Sequence, residues 1–115
     1  MDLSTPAFLQ GLFPFAGTGL SEFKDVEGAA YSVPADKRAQ LVYFRAGNPS
    51  AELVCAVLLR NGQPMRYFPI GAKASVHVPL AVVEDLAPED ALTLQIAAPE
   101  STTGLLVLDI GFVEI

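Results

Sequence analysis

The sequence is poor in the residues that build covalent staples, metal sites and catalytic centres. It has one cysteine, Cys55, one histidine, His77, and no tryptophan among 115 residues. A single thiol excludes an internal disulfide. One histidine and one cysteine do not make the ligand set of a structural zinc site. The sequence therefore predicts no metal, no cofactor and no catalytic residue.

Positive charge is also scarce. Seven lysines and arginines stand against thirteen acids, which gives a net charge of −6. Proteins that bind nucleic acid through its phosphates need a basic surface, so this class is excluded. Only 17% of the residues are charged and 51% are apolar, a composition that argues against disorder. A chain of this length can bury roughly two-thirds of its unfolded surface, and we expect one folded domain.

Long apolar runs are absent as well. The longest, Leu53–Leu59, has seven residues, whereas a membrane-spanning helix needs about 18. The chain starts MDLSTPAFLQ, with an acid and no basic residue, which is unlike a secretory signal. We therefore expect a cytoplasmic protein that is not embedded in a membrane.

The first twenty residues differ from the rest of the chain, and we divide it into an apolar N-terminal arm, 1–20, and a β-sandwich domain, 21–115. Ser4 or Thr5 before Pro6 is a helix-start signal, and Gly11 would end a short helical turn. The arm either caps its own core or docks on a partner or a second copy. Its candidate interface residues are Phe8, Leu9, Leu12, Phe13 and Phe15.

From residue 29 onward the pattern favours β-strands. Short runs rich in β-formers alternate with turn residues and prolines, and no long helix interrupts them. The predicted fold is all-β, a single antiparallel β-sandwich of jelly-roll or Ig-like type, with about seven to eight strands and a short N-terminal helical turn. The clearest strands are 40–45, 52–60, 65–70, 75–80, 92–97 and 105–115, and 83–90 is expected to be a loop.

Asn61-Gly62 between two apolar runs is a strong hairpin signal, because both residues accept positive φ. Arg60 and Arg66 flank this turn and would face each other across the hairpin. Like charges directly opposite are unfavourable unless an anion lies between them. They either solubilise the hairpin ends or belong to a binding surface. The candidate binding residues are Tyr43, Arg45, Arg60, Arg66, Tyr67 and the outward-pointing His77.

The strand 65–70 has apolar residues on both faces. Met65 and Tyr67 share one face, and Phe68 and Ile70 share the other. If only one face belongs to the core, the other is a contact site. Met65 and Phe68 are therefore added to the candidate interface.

Carboxylates are the remaining candidates. Asp109 lies in an apolar run, on the strand face that also carries Gly111. A charge there has to be exposed near a sheet edge, paired, or part of a ligand site. The acids at 84–85 and 89–90 are interpreted as solvated loop residues, because their spacing does not suit a calcium loop.

Two family resemblances follow from these segments. The stretch VPLAVVEDLAPEDALTLQI followed by GLLVLDIGFVEI resembles the closing strands of jelly-roll carbohydrate-binding modules, where an apolar strand containing an Asp ends the domain. The stretch AQLVYFRAGNPSAELVCAVLLRNGQPMRYFPIGAKASVHVPL resembles the small sensory-rhodopsin-transducer proteins. Both resemblances imply a β-sandwich, and the second implies an oligomer that interacts with a membrane receptor. Neither assigns a binding residue.

Three functional classes remain. The first is a non-enzymatic cytoplasmic interaction protein that self-associates or docks on a protein partner. Its apolar fraction exceeds what so small a core readily hides, so we expect a homo-oligomer. The alternative is a small-molecule or carbohydrate-binding module that uses an Arg/Tyr face. The third is an enzyme built around His77 and nearby acids.

Overall fold

The computed structural model describes residues 4–115, and the side chains at 81–83 lie outside this description. The first three residues of the predicted arm are outside it too. The described part of the chain contains eight strands: β1 Thr5–Ala16, β2 Gly19–Ser32, β3 Ala39–Asn48, β4 Val54–Arg60, β5 Gln63–Ile70, β6 Ala74–Leu86, β7 Ala91–Ala98 and β8 Thr103–Glu114. The prediction of an all-β antiparallel sandwich is confirmed.

The strands form two four-stranded sheets. Sheet A has the order β1-β8-β3-β6, and sheet B has the order β2-β7-β4-β5. All pairings are antiparallel. β8 and β3 are therefore the central strands of sheet A, and β1 and β6 are its edges.

The core fills the space between the sheets, because alternate residues of each strand point inward. On β8 this alternation is regular: Leu106, Leu108, Ile110 and Phe112 are buried. Phe44 of sheet A stacks on Phe68 of sheet B, with ring centroids 3.9 Å apart. This aromatic pair joins the two layers.

The N-terminal segment is a strand, so the predicted helical turn is wrong. Residues 5–16 pair continuously with β8, from Thr5 opposite Glu114 to Ala16 opposite Thr103. The capping signal at Ser4 and Thr5 is outweighed by the pairing that the neighbouring strand offers. Leu9 and Phe15 reach the core from this strand.

The hairpin predicted at Asn61-Gly62 is present, and both residues have positive φ, 51° and 81°. Its register differs from the expectation. The two-residue turn places Arg60 opposite Gln63, and a bulge beyond it places Arg66 opposite Leu58, so the two arginines do not face each other. The segment 83–90, expected as a loop, is partly strand, because β6 continues to Leu86.

Two polar side chains, Asn48 and Tyr31, hold the loops and the two sheets together through hydrogen bonds. The amide of Asn48, 1% exposed, donates to the carbonyls of Glu52, Ile70 and Gly71, and so holds two loops to the end of β3. At the other end, the Tyr31 hydroxyl donates to Glu114 at 2.5 Å. Burial, followed by this hydrogen bond, raises the pKa of Tyr31.

Candidate functional site

The outer face of sheet A carries a row of polar side chains that crosses all four strands. Gln10 on β1 lies opposite Asp109 on β8, Asp109 lies opposite Arg45 on β3, and Arg45 lies opposite His77 on β6. Residues that are directly opposite have Cβ atoms about 4.5–5.5 Å apart, so their side chains interact. The register thus places an amide, a carboxylate, a guanidinium and an imidazole in one line.

Asp109 is the centre of this row. Its Oδ1 accepts hydrogen bonds from Gln10 Nε2 and from the Tyr43 hydroxyl, both at 2.9 Å. Its Oδ2 lies 3.5 Å from Arg45 Nη1. The hydrogen bond from Gln10 is the largest of the causes that lower the pKa of Asp109, and Tyr43 and Arg45 act in the same direction. The carboxylate is therefore a fixed negative acceptor.

Tyr43 lies against the backbone of β8. It is opposite Gly111, and its ring occupies the space that a Cβ at that position would need. Its ring meets His77 edge to face, with centroids 5.9 Å apart. Burial and the hydrogen bond to Asp109 raise the pKa of Tyr43, so the hydroxyl remains a donor.

A shallow pocket of about 320 Å³ adjoins the row on the β3–β6 side. Arg45 and His77 line one part of it, and Ser75, Gly47 and Val107 line the rest. The absence of a side chain at Gly47 leaves the pocket floor open. The Arg45 side chain is 57% exposed, and within residues 4–115 its one ion pair is the 3.5 Å contact with Asp109. Most of its donors therefore face the solvent.

Exposed apolar side chains border the row on the β1–β8 side. Phe8 and Leu12 on β1 are 53% and 63% exposed, and Leu105 and Val107 on β8 are also exposed. Leu12 lies directly opposite Val107. The face thus combines hydrogen-bonding groups at its centre with apolar surface beside them.

Three of the six predicted binding residues, Tyr43, Arg45 and His77, come together here. Arg60 does not. It binds Asp90 at 2.8 Å, and Asp90 also accepts from Asn61 and from the amide of Ala87. Arg60 is therefore part of a structural clasp that holds the hairpin to the loop before β7.

Arg66 and Tyr67 lie elsewhere too. Arg66 pairs with Glu84 at 3.6 Å and so links the edge strands of the two sheets. Tyr67 lies on β5 of sheet B, where its ring meets the ring of Phe23 with centroids 5.9 Å apart. The predicted Arg/Tyr surface is accordingly divided between different parts of the molecule.

Burial removes several residues from the predicted interface. Leu9, Phe15 and Phe68 are core side chains, and Phe13 and Met65 are partly buried against that core. Alternation along β1 points odd-numbered residues inward and even-numbered ones outward. Of the seven candidates, Phe8 and Leu12 present large exposed surfaces.

Gln10 is not among the binding residues predicted from the sequence, because the sequence predicts a helical turn there. Asp109 was noted as an unusual charge, but its position on a central strand and its three partners depend on the register. Alternation along β8 puts Asp109 and Gly111 on the same outer face, and this is the sequence signal that points to the site.

Within residues 4–115, excluding the side chains at 81–83, no group of three metal-ligating side chains occurs. That part of the chain also contains no helix long and apolar enough to cross a membrane. Burial raises the pKa of the half-buried Cys55 thiol.

The fold defines a class, the jelly-roll β-sandwich seen in carbohydrate-binding modules. The chain is similar to the native structure of a family 35 carbohydrate binding module from Clostridium thermocellum, with a TM-score of 0.50 and 13% identity. The similarity covers 94% of this chain and 97% of that one. The predicted resemblance to jelly-roll carbohydrate-binding modules is confirmed at the level of the fold.

A second solved structure is the exo-beta-1,3-galactanase from Phanerochaete chrysosporium, determined with galactose. Its TM-score is 0.42 and its identity 13%, and this chain spans 30% of its length. No protein-family model matches the sequence, and no curated protein matches it.

Proposed function

We propose that the protein is a non-catalytic module that binds carbohydrate through the outer face of sheet A. The observation that carries the proposal is the row formed by Gln10, Asp109 and Arg45, with Tyr43 beside it. It lies on a fold similar to that of a carbohydrate binding module.

The chemistry of the face suits sugars. A sugar hydroxyl both donates and accepts hydrogen bonds, and adjacent hydroxyls match an acceptor beside a planar donor fork. Asp109 and Arg45 supply that combination on neighbouring strands. The apolar faces of sugar rings pack on aromatic and aliphatic surface. The exposed Phe8 and Val107 side chains supply it, together with the partly exposed ring of Tyr43.

The arrangement supports binding rather than catalysis. An acid or base pair for hydrolysis needs two titratable groups at a defined spacing around the reacting atom. Asp109 is held by Gln10, Tyr43 and Arg45, and its lowered pKa keeps it ionised. Its contacts with neighbours define a fixed hydrogen-bonding surface.

The proposal is tested by isothermal titration of the purified chain against a panel of soluble neutral and acidic polysaccharides and their oligosaccharides. We expect binding to at least one of them. We expect Arg45→Ala and Tyr43→Ala to weaken that binding about tenfold or more, because each removes a direct contact.

Matched variants on the other sheet control for general damage. Gln95 donates to Asp25 at 2.9 Å, as Gln10 does to Asp109. Gln95→Ala and Tyr67→Phe should leave the affinity unchanged, whereas Gln10→Ala and Tyr43→Phe should lower it. Absence of binding across the panel would overturn the proposal, as would binding that the sheet A variants do not alter.

A further inference from the structure

Strand β1 is an unusual sheet edge. It lies at the margin of sheet A, and β8 is its one partner among the described strands. Its twelve residues, TPAFLQGLFPFA, contain no charge. Proteins commonly protect exposed edges with charged residues, bulges or prolines. Of these, β1 has two prolines, Pro6 and Pro14, near its ends. The other three edges carry charges, for example Lys24 on β2, Arg66 on β5 and Glu84 on β6.

The backbone of β1 shows which groups face the open edge. The amide of Gly17 donates to the carbonyl of Thr102, which continues the register of Ala16 opposite Thr103. Backbone groups alternate sides along a strand, so odd-numbered residues bond to β8 and even-numbered residues face outward. Pro6 and Pro14 are even-numbered, so the ladder with β8 loses no donor.

The outward groups form a self-complementary set. Among the described residues, the outward backbone donors and acceptors of residues 8, 10 and 12, between the two prolines, have no partner. If two copies pair antiparallel with Gln10 opposite Gln10, then Phe8 lies opposite Leu12. Pro6 then lies opposite Pro14, so neither copy leaves an amide N–H unpaired at the ends of the new ladder.

The side chains fit the same register. Phe8 and Leu12 are the two large exposed hydrophobic residues of β1. Pairing would place Phe8 of one copy beside Leu12 of the other on the outer face. Aromatic and aliphatic cross-strand pairs of this kind stabilise sheets. On the inner face Leu9 would lie opposite Gly11, which has no side chain to obstruct it.

We propose that a second copy of this chain docks on this edge, so that two β1 strands pair antiparallel about Gln10 and the two A sheets join into one eight-stranded sheet. A second copy is the occupant because the register is its own complement in hydrogen bonds, prolines and apolar pairs. Gln10 on this edge is one end of the proposed sugar-binding row, whereas the Arg45–His77 pocket lies on the β3–β6 side of the sheet and stays open in the dimer.

Light scattering on a sizing column tests the assembly. We expect a mass twice that of the chain, and the monomer mass for Leu12→Lys, which places two charges against the apolar pairs. Val107→Lys is the matched control: Val107 lies opposite Leu12 on the same face, but one strand away from the edge. It should remain a dimer.

Cross-linking tests the register itself. Cα atoms of a hydrogen-bonded pair are about 5.5 Å apart, within the range that a disulfide spans. Gln10→Cys should therefore form a disulfide-linked dimer under oxidation. Leu12→Cys should not, because the two copies of residue 12 would be about 13 Å apart. A monomer at all concentrations, or a dimer that tolerates Leu12→Lys and does not cross-link through residue 10, would overturn the proposal.

Discussion

The ring of Tyr43 fills the space left by the missing side chain of Gly111. The two residues are opposite each other on the central strands of sheet A. From there the Tyr43 hydroxyl reaches Asp109, two residues along β8, at 2.9 Å. The glycine therefore decides where the tyrosine lies and, through it, how Asp109 is held.

Replacing Gly111 with alanine should disturb this arrangement. The added Cβ would overlap the Tyr43 ring, which would have to turn away and give up its bond to Asp109. We expect a loss of about 1–3 kcal/mol in the free energy of unfolding, measured by urea denaturation. Gly47→Ala is the control, because its Cβ would meet Val107 at 3.4 Å and needs a smaller adjustment. Equal stability of the two variants would contradict this account.

Asn48→Ala should be strongly destabilising, because the buried amide holds three carbonyls and also accepts from Ser50. Leaving a buried acceptor without a donor costs about 1–3 kcal/mol in unfolding free energy. Gln40→Ala removes an exposed amide that donates to Asp85 at 3.1 Å and should change stability by less than about 0.5 kcal/mol. Chemical denaturation of both variants measures the difference, which should be large.

Phe68→Ala should lower the free energy of unfolding strongly and Phe8→Ala scarcely at all, although the sequence analysis predicts both residues at an interface. Phe68 stacks on Phe44 in the core, and its loss should cost about 3–5 kcal/mol. Phe8 is half exposed, so its removal should scarcely change the unfolding free energy of a monomer. Both substitutions should be introduced into the Leu12→Lys variant, which we expect to be monomeric, and their stabilities compared by thermal and urea unfolding. A costly Phe8→Ala in that background would mean that Phe8 supports the core.

Acid should weaken the clasp at Asp90. Hydrogen bonds from Asn61 and the Ala87 amide, together with Arg60, lower the pKa of this carboxyl against the opposing effect of burial. The folded state therefore binds the proton less tightly than the unfolded state. The clasp stabilises the protein above the unfolded pKa, and this contribution is lost as the pH falls through the folded pKa.

The measurement is the melting temperature between about pH 7 and about pH 2, for the wild type and for Asp90→Asn. The variant should melt lower than the wild type at neutral pH, and the two curves should converge in acid. A difference that stays constant with pH would show that the carboxylate charge does not act in the clasp.

The local pattern predicted most of the strands. Alternation from Leu105 to Ile115 placed Asp109 and Gly111 on one face of the strand, and Asn61-Gly62 located the hairpin. Both signals act within a few residues, so they can be read along the chain. The outward position of His77 followed from the same alternation.

The N-terminus could not be predicted in this way. Its caps and breakers suit a helix, but residues 5–16 extend because the edge of β8, about a hundred residues further along, offers them hydrogen bonds. The register of the hairpin likewise depends on its two-residue turn, which sets Gln63 opposite Arg60, and on the bulge between Leu58 and Leu59, which sets Arg66 opposite Leu58. A shift of one residue in the register changes which residue lies opposite, and the register cannot be read from the sequence.

The sequence by itself determined the class of fold, because alternating apolar residues with short turns can bury their surface only between two sheets. It also supplied Tyr43, Arg45, His77 and Asp109 as outward polar groups. Only the tertiary structure decided that these four meet, since strand order is set by long-range pairing. The same pairing gave Arg60 and Arg66 structural partners and left β1 as an open, uncharged edge.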